Sequence, residues 1–111
     1  MTSSYEVDLI DSSINSIVPL NISESTIRVN LHHNVIEEIN GLVNARNLLH
    51  LDLSSNLIEK IDGLDGLKYL RTLNLSSNRI TGIRGLKYLQ IGLRLFLYDS
   101  LTGRFIRPHC V

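Results

Sequence analysis

The chain has 111 residues, 11 basic against 11 acidic, so it carries no net charge and no field that would select nucleic acid or an anionic membrane. Apolar residues make up 43% of it but aromatics only 5%, a bias toward Leu, Ile and Val that suits one uniform stacked interior. Cys110, the lone cysteine, excludes an internal disulfide and fits a reducing compartment; Met1–Glu6 lacks the basic and apolar blocks of a secretory signal, and no run approaches the ~20 apolar residues of a membrane helix.

In chain order, the first unit covers residues 5–25. Val7 and Leu9 alternate with polar neighbours, the period-two mark of a short strand with one buried face. Ile14 and Ile17 follow, three residues apart as on a tight helical turn, and then Leu20. The segment 21–25, Asn-Ile-Ser-Glu-Ser, is polar, as the outward face of an N-terminal cap must be. The second unit, 26–47, repeats this order with Val29, Leu31, Asn34, Ile36, Ile39, Gly41 and Leu42. The third, 48–69, has Leu51, Leu53, Asn56, Ile58, Ile61, Gly63 and Leu64; the fourth, 70–90, has Leu73, Leu75, Asn78, Ile80, Ile83, Gly85 and Leu86. Each column steps by 22 residues, and the five aliphatic columns contain nothing but aliphatic residues. The first unit departs at two places, with Ser12 for Asn and Pro19 for Gly.

Each part of the unit has a physical reason. A strand this short must pair in parallel with identical neighbours, ~4.8 Å apart. The Asn amide can satisfy the backbone groups that the following turn leaves open and can bridge successive coils. Gly supplies backbone conformations closed to other residues before the chain turns back along a second apolar pair, such as Leu67 with Leu70 or, more loosely, Ala45 with Leu48. One unit cannot bury its own apolar edge; stacking does. The tail, 91–111, leaves two readings open. Leu95 and Leu97 keep the strand register, but Ser100, Thr102 and Arg107-Pro108 replace Asn, Ile and Gly-Leu. It is either a degenerate fifth unit or a segment foreign to the array, and its apolar stretch 91–97 is an aggregation hazard if left bare.

The segments 51–58, Leu-Asp-Leu-Ser-Ser-Asn-Leu-Ile, and 73–80, Leu-Asn-Leu-Ser-Ser-Asn-Arg-Ile, resemble intracellular leucine-rich repeats of the 22-residue class. The resemblance implies a right-handed α/β solenoid, with short parallel strands on the concave face and turns or 3₁₀ segments on the convex face. More narrowly, segments 27–34 and 50–56 are similar to the start of the leucine-rich repeat and coiled-coil centrosomal proteins. That similarity implies a place at a centrosome, centriole or cilium. Because those proteins continue into further repeats and a long coiled coil, it also implies a fragment or short isoform.

Residues between the buried leucines should project from the concave face in columns: Glu6, Arg28, His50 and Thr72; Asp8, Asn30, Asp52 and Asn74; Ile10, His32, Ser54 and Ser76; Asp11, His33, Ser55 and Ser77. A protein partner is expected at Arg28, Asn30, His32, His50, Asp52 and Asn74; the alternative is that the Asp/Asn column only solvates the sheet. No aromatic anchor is expected on this face. Catalytic, cofactor and metal sites are not expected. His32, His33 and His50 lack a thiolate partner, and Asp8 and Asp52 lie two coils apart without a nucleophile. Ser54-Ser55 and Ser76-Ser77 fill variable places of the repeat, and the glycines fit no phosphate-binding motif. The expected function is a non-enzymatic protein-interaction scaffold in the cytoplasm, without nucleic-acid, membrane or small-molecule ligands. A regulatory or adaptor subunit of another enzyme, such as a phosphatase, and a truncated product with little function of its own are the alternatives.

Overall fold

The computed structural model describes residues 5–82, 92–99 and 104–105. Five strands, β1 (Glu6–Asp8), β2 (Arg28–Asn30), β3 (His50–Asp52), β4 (Thr72–Asn74) and β5 (Arg94–Phe96), form one sheet in sequence order. Every pair is parallel and offset by the 22-residue step, so that Val7, Val29, Leu51, Leu73 and Leu95 lie side by side. Parallel neighbours of three residues share few hydrogen bonds, and the ladder gains length beyond the strands. Leu31 N–H donates to Asp52 O at 2.9 Å, His33 N–H to Ser54 O at 3.0 Å, and Ser55 N–H to Ser76 O at 2.9 Å.

A second ladder runs along the opposite side of the coils. There the N–H groups of Val35, Leu57 and Arg79 donate to the carbonyls of Ile14, Ile36 and Ile58 at 2.9, 2.8 and 2.8 Å. The isoleucines of this side, Ile36, Ile39, Ile58 and Ile61, are buried as expected, but no helical turn carries them. The described residues contain one 3₁₀ turn, Val18–Leu20, at the place where Pro19 pre-sets the backbone. The return limb is a chain of tight turns: Ala45 N–H reaches Leu42 O and Leu48 N–H reaches Ala45 O, and Leu67 and Leu70 repeat the pattern.

Between the ladders lies one continuous core, in which Leu31, Leu53 and Leu75 stack beside Val29, Leu51 and Leu73 and face Ile36 and Ile58. Burial of each such side chain is worth about 1.5–3 kcal/mol, and none of it is available to a coil alone. The first coil is looser. Val7, Leu9, Ile14 and Leu20 are only half-buried, with no coil stacked on their outer side among the described residues. Gly41 and Gly63 adopt φ of +80° and +71°, and a methyl group on Gly63 would sit 2.2 Å from Ile39 O. Sterics thus require glycine twice over.

β5 occupies the fifth place in the ladder, with Leu97 buried behind it. The chain then leaves the repeat pattern: β6 (Tyr98–Asp99) pairs antiparallel with β7 (Arg104–Phe105). The expectations for Ile83, Gly85, Leu86, Arg107-Pro108 and Cys110 fall outside the described residues.

Candidate functional site

The turn after each strand decides which side chains the sheet presents. In three successive coils the Asp/Asn side chain accepts the N–H two residues onward: Asn30 Oδ1 from His32 at 3.1 Å, Asp52 Oδ1 from Ser54 at 2.9 Å, and Asn74 Oδ1 from Ser76 at 3.0 Å. This is an Asx turn, and it steers the next residue into the left-handed region. His33, Ser55 and Ser77 have φ of +59°, +55° and +57°, and Asp11 in the first coil has +52°. The fourth column expected on the sheet face is therefore part of the turn, because a chain at positive φ no longer alternates sides as a strand does. His33 accordingly leaves His32, and its Nδ1 lies 3.3 Å from Asp11 one coil away.

The turn then closes on the asparagine. Asn56 Oδ1 accepts the N–H of Ile36 in the preceding coil at 3.0 Å, while its Nδ2 faces the carbonyls of Leu31, Leu53 and Ser54 at 3.0, 3.1 and 3.2 Å. Asn34 and Asn78 make the equivalent contacts. Each asparagine reaches back to the preceding coil and staples it to its own.

On the sheet face remain two full columns, one of Glu6, Arg28, His50, Thr72 and Arg94, the other of Asp8, Asn30, Asp52, Asn74 and Phe96. The structure thus brings five of the six expected residues, Arg28, Asn30, His50, Asp52 and Asn74, into one shallow groove of about 260 Å³. Thr72 and Phe96 line it with them. Phe96, 44% exposed, corrects the expectation that this face lacks an aromatic anchor. Continuing the 22-residue step from Asp52 through Asn74 would have found it; the loss of repeat character around it hid it.

His32 stands in the next column. Its Nδ1 lies 2.7 Å from Ser54 Oγ, and that hydroxyl in turn donates to Asp52 Oδ1 at 2.5 Å. With its single hydrogen given to the carboxylate, Ser54 accepts from His32, which fixes the proton on Nδ1. This order is the reverse of one in which a histidine takes the serine proton, and it ties the ends of successive strands together. His50 Nδ1 is 2.8 Å from Thr72 Oγ1. Partial burial, then the charges of Arg28 and Arg71, hold the His50 pKa below the ordinary histidine value. Among the described residues no three His, Cys, Asp or Glu side chains come together in a way that could hold a metal ion.

Comparison with known proteins follows the same lines. A family model described as leucine-rich repeats, in two copies, matches residues 46–88. No curated protein matches the sequence. Among solved structures, an internalin from Listeria monocytogenes superposes with a TM-score of 0.70 at 26% identity, over 86% of this chain and 30% of its own length. The chain therefore spans less than a third of that internalin. Repeat motif, register and superposition agree: the chain folds as a parallel-strand solenoid like that of leucine-rich-repeat proteins, with such repeats matched over residues 46–88.

Proposed function

We propose that the chain is a non-enzymatic scaffold that holds a protein partner against the open face of its sheet. The observation that carries this reading is the groove itself. A rigid ladder sets Arg28, His50, Asp52, Asn74 and Phe96 side by side on a face with no covering element among the described residues. Solenoids present such extended surfaces to other proteins, and Arg and exposed aromatics are the side chains that anchor protein contacts. The Asx turns occupy one oxygen each of Asn30, Asp52 and Asn74 and leave the second polar atom of each side chain to a partner. Both readings of this column, local structure and binding, thus use different atoms of the same residue.

The resemblance of segments 27–34 and 50–56 to centrosomal leucine-rich-repeat proteins supports a cytoplasmic site of action at a centrosome, centriole or cilium. The test has two arms. A tagged chain in ciliated cells is expected to concentrate at those bodies; an even cytoplasmic signal refutes the location and leaves the scaffold untouched. For the scaffold, proteins captured by the immobilised chain are compared with those captured by the triple variant Arg28→Gln, His50→Gln, Asp52→Asn, which keeps the acceptor of the Asx turn. Loss of the captured set at unchanged folding stability is the expected result. Capture of the same set by both sinks the reading.

A further inference from the structure

The chain is neutral as a whole, yet the fold sorts its charges to two flanks. The side that leaves the strands carries Glu37, Glu38, Glu59 and Asp62, with Lys60 among them, around one open cleft. The end of the limb that returns to the strands is the opposite, although Glu24 and Asp65 lie earlier on that limb. Segments 46–50 and 68–72 contain Arg46, Lys68 and Arg71 and no carboxylate. Arg46 is paired with Glu24, but no ion pair among the described residues engages Lys68 or Arg71. Arg71 lines a depression with Asn47, Leu49 and Tyr69, and Tyr69 is 57% exposed. Leu49 and Arg71 directly precede His50 of β3 and Thr72 of β4, which line the groove, and the charge of Arg71 reaches the His50 imidazole. Arg94, bonded through its N–H to Arg71 O at 2.8 Å, continues the basic rim onto β5.

We propose that this rim binds an acidic segment of the protein partner, its carboxylates on Arg71 and Lys68 and one apolar side chain in the depression between Leu49 and Tyr69. The inference rests on the scaffold reading and adds the chemistry of what is held. Charge complementarity carries it. An exposed tyrosine between two cations offers both anchor types in one place, and a basic partner would meet like charge there. The groove beside it takes whatever continues from that segment.

The probe is a fluorescein-labelled peptide of alternating glutamate and leucine, with a twin in which lysine replaces glutamate. Anisotropy is expected to show binding of the glutamate peptide only, weakened by salt. Amide shifts in a nitrogen-15 spectrum are expected at 46–50 and 68–72. Arg71→Glu, an exposed change that leaves the backbone bond of Arg71 to Leu49 intact, should raise the Kd by at least about tenfold, and Tyr69→Ser by a smaller factor. Equal binding of the lysine peptide, no binding of either, or shifts confined to 37–40 and 59–63 would each overturn the proposal. So would self-association of the chain abolished by Arg71→Glu, because the rim would then be an interface between copies. If the capture experiment loses its proteins with the groove variant but not with Arg71→Glu, the scaffold stands and this inference falls.

Discussion

Replacing Asn56 by alanine removes four hydrogen bonds at once, but the four are not equal. Leu31 O keeps the Asn34 amide at 2.9 Å, Leu53 O keeps the Asn78 amide at 2.9 Å, and Ser54 O keeps the His33 N–H at 3.0 Å. Ile36 N–H has Asn56 Oδ1 as its partner and belongs to a fully buried residue. The cost is therefore one orphaned buried donor, ~1–3 kcal/mol, plus a few tenths for each carbonyl that loses its second donor, about 3 kcal/mol in all. That is a large share of the 5–15 kcal/mol typical of a folded domain. Urea unfolding followed by circular dichroism measures it, with the loss read from the midpoint at constant slope. Asn56→Asp sharpens the test. It keeps the shape and the acceptor for Ile36 but turns a carboxylate oxygen toward three carbonyls, so it should cost at least as much as alanine. Asn78→Ala should cost less, since water reaches that half-buried amide. A loss below about 1 kcal/mol for Asn56→Ala, or an aspartate variant as stable as the parent, would refute the idea that these amides staple coil to coil.

Three further outcomes follow from the same structure. Gly63→Ala meets both positive φ and Ile39 O, and should destabilise by more than about 2 kcal/mol, whereas Gly66→Ala, with open space around it, should be neutral or stabilising by ~0.5 kcal/mol; thermal melts of the pair decide. Leu53→Ala empties a site at the centre of the stack and should cost about 2–5 kcal/mol, seen as a lower urea midpoint. Because the folded state holds the His50 pKa down, the unfolded chain binds more protons once pH falls below about 6.5. Stability contributed by neutral His50 is thus full above that pH and is lost as pH falls toward the folded pKa. His50→Gln should flatten that part of the stability–pH curve, and an unchanged slope would show that the imidazole is not desolvated there.

The groove could be read from the sequence only in part. Arg28, Asn30, His50, Asp52 and Asn74 follow from strand alternation, because a two-residue period puts them on one face whatever the turn does. Periodicity does not say where the strand stops. The Asx turns stop it at His32, Ser54 and Ser76, so His33, Ser55 and Ser77, which an unbroken alternation would display, leave the face, and Asp11 at φ +52° does the same in the first coil.

The 22-residue step by itself determined the stack, its parallel register and the identity of its core. A coil whose neighbours are copies of itself can bury its aliphatic edge in only one way, and the columns state which edge that is. Tertiary structure alone decided what non-identical residues do: the pairing of His32 with Ser54, the hairpin of β6 and β7, and the parting of a neutral composition into a basic rim and an acidic flank. Those depend on dihedral angles at the turns and on which atoms of the next coil come within reach, and a one-dimensional period holds neither.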